Sequence, residues 1–248
     1  MDVPILSDTV VTPDGHCPVR LFTPQGRGPW PGIVMYPDAG GARPALADQA
    51  ATLADSGYAV LLPDVYYRDH GWAPFNMATV FGDDAERQRL LSMIATVTPQ
   101  RMTTDAKAFF DYLASRPEVR GEAFGVCGYC MGGRTSVVVA ATLPDRVRAA
   151  ASFHGGGLVT DATDSPHLLV DRITATVYVA GAENDASFTE SDAEVLDAAL
   201  SAAGVAHEVE FYPAAHGFAV PDNPSYDADA AARHWAAMRR LFGDTLNG

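Results

Sequence analysis

The chain is short of the residue types that several broad protein classes require. It carries 3 cysteines in 248 residues. That is too few for a disulfide framework, and a reducing, cytoplasmic setting is the expectation. Basic residues are scarce: 17 Lys and Arg stand against 31 Asp and Glu, a net charge of −14. Such a surface repels nucleic-acid phosphates and anionic membranes, so neither is an expected partner. No apolar run approaches the roughly 20 residues that span a bilayer. No N-terminal stretch joins a basic region to an apolar core, so no secretory leader is expected. Internal repeats and low-complexity linkers are missing too.

What remains is an ordinary globular composition, 48% hydrophobic and 19% charged, enough for a full core in one domain spanning 1–248. Residues 7–23 read as a hairpin around Pro13-Asp14-Gly15. Beyond them, short apolar runs alternate with helical periods. Strands are expected at Gly32–Tyr36, Tyr58–Leu62, Ala123–Cys127, Arg148–Phe153, Thr176–Ala180 and Glu208–Tyr212. Helices are expected at Ala42–Ser56, Thr103–Ser115, Arg134–Leu143, Glu190–Ala203 and Tyr226–Leu241. This alternation predicts an α/β fold, a mostly parallel sheet of about seven or eight strands with helices on both faces. Ligands then bind along the rim where the strands end. Residues 64–102 interrupt the pattern with a long irregular stretch, helical over Glu86–Thr96. It is expected either to line and cover a pocket or to be a packed excursion.

Gly128-Tyr129-Cys130-Met131-Gly132-Gly133 stands between a predicted strand and a predicted helix. A nucleophile on a tight strand–turn–helix junction, with glycine two residues to either side, has the pattern of a nucleophile elbow with Cys in the usual Ser position. The positive end of the following helix favours a thiolate there. Such a thiol needs a base, and the base needs an orienting carboxylate. In this fold class the order is nucleophile, acid, histidine, each beyond its own strand. Asp185 and His216 satisfy that order. Glu183 and Asp192 are neighbours that could replace Asp185, and His154, beside Gly155-Gly156-Gly157, is the serious rival to His216. The amides of Met131 and Ala39 are the expected oxyanion donors, with Gly40 as an alternative to Ala39. Asp38 reads in two ways. It could raise the thiol's pKa and compete with His216 for the thiol's proton, or simply cap a turn.

With these residues in hand, the chain resembles the dienelactone hydrolase family of α/β-hydrolases. The elbow, Asp185, Ala215-His216-Gly217-Phe218 and Leu62-Pro63-Asp64-Val65-Tyr66 carry the resemblance. It implies a Cys-His-Asp triad acting on small esters or lactones without metal or organic cofactor. It also implies that Asp38, shortened from the family's Glu, interacts with the resting thiol. One position departs from the pattern. Family members that bind a substrate carboxylate place an arginine four residues after the histidine, where this chain has Val220. Arg101 or another arginine of 64–102 is the expected substitute, and Tyr129 is expected at the pocket. Two other readings stand beside this one: a Cys127/Cys130 redox pair, and a silent scaffold that binds a small molecule or partner. A monomer is the default expectation, with a homodimer as the alternative.

Overall fold

The computed structural model describes residues 3–247. Their strands are β1 (Ile5–Thr12), β2 (Gly15–Phe22), β3 (Trp30–Tyr36), β4 (Ala59–Pro63), β5 (Val119–Tyr129), β6 (Val147–Phe153), β7 (Thr176–Asn184) and β8 (His207–Ala215). They form one eight-stranded sheet in the order β1-β2-β4-β3-β5-β6-β7-β8. The hairpin pairs antiparallel, β2 meets β4 antiparallel, and every later neighbour is parallel. This is the expected α/β-hydrolase architecture.

Among the described residues the α-helices are α1 (Pro44–Asp55), α2 (Asp84–Ile94), α3 (Pro99–Ser115), α4 (Met131–Thr142), α5 (Glu190–Ala202) and α6 (Ala228–Leu246), and all but α2 pack on the sheet. Apolar residues of α3, α4 and α5, among them Phe109, Val137 and Leu196, pack on one face of the sheet. Those of α1 and α6, among them Leu53 and Phe242, pack on the other. With both faces covered, β3, β4, β6 and the Phe124–Tyr129 half of β5 are almost wholly buried, which is why they read as continuous apolar runs rather than alternating ones.

Local chemistry sets the ends of the helices. Thr98 accepts the Arg101 N–H at 3.3 Å ahead of Pro99, so α3 starts four residues earlier than the apolar period alone implies. Thr189 and Asp192 form a reciprocal capping box that fixes the start of α5. Among the described residues, no helix is long and apolar enough to cross a membrane.

The 64–102 excursion contributes residues to a small core and to a cavity lining. Tyr66, Phe75, Val80 and Met93 bury themselves with Ala39 and Met131 in a small satellite core. Met77, Ala78, Phe81, Leu90, Leu91 and Ile94 of the same stretch line a cavity above the strand ends.

Candidate active site

Cys130 sits on the junction between β5 and α4 with φ of 53°, a left-handed conformation unusual for a residue with a side chain. The flanking glycines make that junction possible. A Cβ on Gly128 would overlap the backbone of Gly132, and one on Gly132 would overlap the Tyr36 and Pro37 carbonyls. The strained turn is tied down by the Cys130 N–H, which donates to the Phe153 carbonyl at 3.0 Å. Cys130 is partly exposed, whereas Cys17 and Cys127 are buried, and all three are free thiols.

His216 follows β8 directly, and Asp185 follows β7. The Nδ1 of His216 lies 2.6 Å from Asp185 Oδ2. Asp185 is anchored in turn, because its Oδ1 accepts the Ser187 N–H at 2.8 Å and the Ser187 hydroxyl at 2.6 Å. His216 and Cys130 line one cavity, close enough for the thiol to act electrostatically on the ring. Burial opposes protonation of His216. The charge of Cys130 and the hydrogen bond and charge of Asp185 outweigh it and push the pKa up to about 10. The same contacts lower Asp185. Burial alone would raise that carboxyl, but the bond and charge of His216 and the two Ser187 donors prevail.

The neighbours of Asp185 have other positions. Glu183 is exposed at the end of β7, and Asp192 is committed to the α5 cap. Gly217 permits the turn after the histidine: its φ is 96°, and a Cβ there would run into Asn223.

The loop after β3 supplies the facing wall. Asp38 Oδ1 accepts the Gly40 N–H at 2.9 Å, so Gly40 is not free to serve as the second oxyanion donor. Among the described residues, the amides of Ala39 and Met131 make no hydrogen bond. Asp38 is held by Arg43 at 2.5 and 2.9 Å, and Arg43 also reaches Asp222 with two bonds of 2.7 Å. The Asp38 carboxylate thus caps a turn and meets a buried guanidinium, while still bordering the cavity.

Two sequence expectations are corrected. Tyr129 does not face the cavity. It is fully buried, with its hydroxyl 3.1 Å from His234 Nε2, because side chains alternate along β5 and Tyr129 turns into the α6 face. Arg101 is likewise not in the site. It donates to the Thr96 carbonyl at 2.8 Å and borders a separate small cavity beside Tyr36 and Asp105, since the α3 cap at Thr98 turns it away. The other arginines of 64–102 that pair do so with carboxylates: Arg68 with Asp14 and Asp105, Arg87 with Asp84, and Arg89 with Glu86. Val220 is buried. Cys127 is buried too, and burial pushes its thiol pKa upward, so the redox pairing gains no support.

The cavity encloses about 480 Å³. Cys130, His216, Asp38, Ala39 and His154 line it together with apolar residues of the excursion. Among its described lining residues there is no lysine or arginine. The sequence reading missed Arg43, Asp222 and Ser187. Only Ser187 carried a readable signal, the Asp-x-Ser spacing of an Asx turn.

Comparison with known proteins places this geometry. The model of the dienelactone hydrolase family matches residues 17–246. A carboxymethylenebutenolidase from Pseudomonas putida is 28% identical over 229 residues, covering 92% of this chain and 91% of that protein. The dienelactone hydrolase-like promiscuous phosphotriesterase P91, from metagenomic libraries, superposes with a TM-score of 0.74 at 28% identity, over 97% of this chain and 98% of that one. A structure from Klebsiella pneumoniae subsp. pneumoniae MGH 78578 shares the fold with a TM-score of 0.84 at 21% identity, over 98% and 99% of the two chains. The chain belongs to the dienelactone hydrolase family.

Proposed function

We propose that the protein is a thiol-dependent hydrolase of small, uncharged esters or lactones, working through Cys130, His216 and Asp185. The observation that carries this reading is the 2.6 Å contact between Asp185 Oδ2 and His216, with His216 and the Cys130 of the strained elbow lining one cavity.

Cys130 attacks the substrate carbonyl carbon, and the carbonyl oxygen gathers negative charge. The unpartnered amides of Met131 and Ala39 are the donors for that oxygen. His216 gives its proton to the leaving alcohol, which breaks the ester C–O bond and leaves a thioester on Cys130. Forming the thioester removes the charge that most strongly favours protonation of His216. The imidazole is then free to act as a base toward water, and hydrolysis returns the thiol and releases the acid. Asp185 keeps the ring in orientation throughout. Asp38, joined to Arg43, holds the Ala39 loop in place.

The name of the Pseudomonas putida relative supports an ester or lactone bond as the target. The lining favours uncharged substrates, because a carboxylate would meet Phe81, Leu90 and Ile94 with no lysine or arginine among the described lining residues. Free thiols support a reducing compartment, and a monomer suffices for this chemistry.

Mass spectrometry of protein quenched during turnover of an acetate ester tests the reading. The acetyl group is expected on the Cys130 peptide. Sustained turnover with no acyl group there would contradict it.

A further inference from the structure

His154 borders the same cavity as Cys130 and His216, yet the triad chemistry gives it no task. The side chain is 1% exposed. Among the described residues, neither ring nitrogen has a hydrogen-bond partner. A neutral imidazole has one donor and one acceptor, and leaving both unmet in a buried site is costly enough to call for a reason.

The backbone gives a second, independent sign. His154 has φ of 40°, and among the described non-glycine residues it shares the left-handed region with Cys130 alone. Strain of this kind persists where neighbours hold it in place. Here the His154 N–H donates to the Ala180 carbonyl at 2.8 Å, and the preceding carbonyl, of Phe153, receives the Cys130 N–H. The residue is therefore pinned between the strand that carries the thiol and the strand that carries the acid. Its ring meets His216 edge to face at 5.0 Å between centroids, and Phe218 at the same distance. Burial, followed by the positive charge of His216, holds its pKa well below 6.5, so the ring is a neutral hydrogen-bonding group rather than a base.

Hydrolysis of a thioester needs a water placed beside the base and in line with the acyl carbon. The His216 Nδ1 faces Asp185, so the working nitrogen is Nε2, and the water must sit next to it. We propose that His154 holds this deacylating water, hydrogen-bonding its oxygen or its second O–H while His216 removes the first proton. This rests on the thiol-hydrolase reading above. In the step, one water O–H bond breaks and its proton goes to His216, while the oxygen forms a new bond to the acyl carbon. Collapse of the intermediate breaks the C–S bond, returns the electron pair to the Cys130 sulfur and frees the acid. His154 stays neutral and gains or loses no proton.

Stopped-flow hydrolysis of p-nitrophenyl acetate separates this role from packing. The p-nitrophenolate leaves without a proton donor, so acylation is insensitive to the water site and deacylation carries the effect. His154→Phe keeps the ring contacts and removes both nitrogens. The expected result is a p-nitrophenolate burst equal to the enzyme concentration with an unchanged acylation rate. The steady-state rate after it should be lower by roughly 10- to 100-fold. The melting temperature should not fall, because no formed hydrogen bond is lost. His154→Gln, which retains a donor and an acceptor, should recover most of the steady rate.

A wild-type steady rate in His154→Phe overturns the proposal. So does an equal loss in both phases with a lower melting temperature, which marks packing alone. Should that variant not fold, His154→Met against His154→Gln carries the comparison, and equal deacylation in the two overturns it. Cys130→Ala runs alongside: wild-type turnover that survives in that variant refutes the thiol reading itself, whatever the His154 variants do.

Discussion

Arg43 grips Asp38 through two guanidinium nitrogens, at 2.5 and 2.9 Å, in a setting where both residues are almost completely buried. It also donates to the Gly41 carbonyl at 3.2 Å and reaches Asp222 with two bonds, seven residues from the end of β8. One side chain therefore ties the loop that follows β3 to the loop that follows His216. A guanidinium between two carboxylates satisfies both through planar, two-pronged bonding that lysine does not offer. The carboxylate expected to act on the thiol is committed to this bridge.

Cutting the bridge leaves a buried charge without its partner. Arg43→Met is expected to destabilise the protein by about 3–5 kcal/mol, the usual cost of orphaning one half of a buried pair. Adding Asp38→Asn should restore part of that loss, because the stranded charge is then gone. Urea unfolding of the two variants checks this. A loss below about 1 kcal/mol for Arg43→Met would mean the bridge is as weak as a surface ion pair.

The protonation of His216 should follow the charge of Cys130. Imidazole titration by NMR is expected to find a pKa near 10 in the wild type. In Cys130→Ala it should fall back toward the ordinary value near 6.5, and Asp185→Asn should also lower it. The sign of the stability effect follows. A histidine whose folded pKa is raised contributes stability that is complete below its unfolded pKa and is lost as pH rises through the folded one. The wild type should therefore lose stability between about 6.5 and 10, and His216→Gln should lose less over the same window. A wild-type His216 pKa below 7 would contradict this.

Gly217→Ala tests the turn that presents the histidine. With φ of 96° and the Asn223 side chain in the way, the substitution is expected to cost roughly 1–3 kcal/mol. It should also reduce kcat more than KM, because the displaced group is His216. Thermal unfolding and steady-state kinetics report the two effects separately.

Substrate charge is the fourth test. For a matched pair of esters differing by one carboxylate in the acyl part, kcat/KM should favour the neutral member by about tenfold or more. Val220 is buried, and Arg101 points elsewhere. A preference for the anionic ester would place an unrecognised cation at the site.

How far the sequence disclosed this site depended on whether the signal was local. The elbow was legible because its residues are contiguous in sequence, with Gly128 forced by contact with the Gly132 backbone four residues on. Asp185 and His216 were legible because strand order fixes which loops meet on the rim. The strands themselves were placed well, although β5 and β7 run longer than their apolar cores suggest. Polar residues at their ends keep pairing with a neighbouring strand. Tyr129 and Arg101 were misread for a common reason. Their side-chain directions depend on the pleat of β5 and on the cap of α3, not on their distance in sequence from Cys130. Arg43 and Asp222 were missed because 179 residues separate them, and no local pattern announces a bridge of that span. Asp38 was legible in type only. Its two readings could be told apart only once Arg43 was seen against it.

The most direct measurement is p-nitrophenyl acetate hydrolysis by the wild type and Cys130→Ala, side by side at neutral pH. The expected result is steady turnover by the wild type, with the variant reduced to the background rate. Equal turnover by both proteins would remove Cys130 from the chemistry and contradict the thiol mechanism.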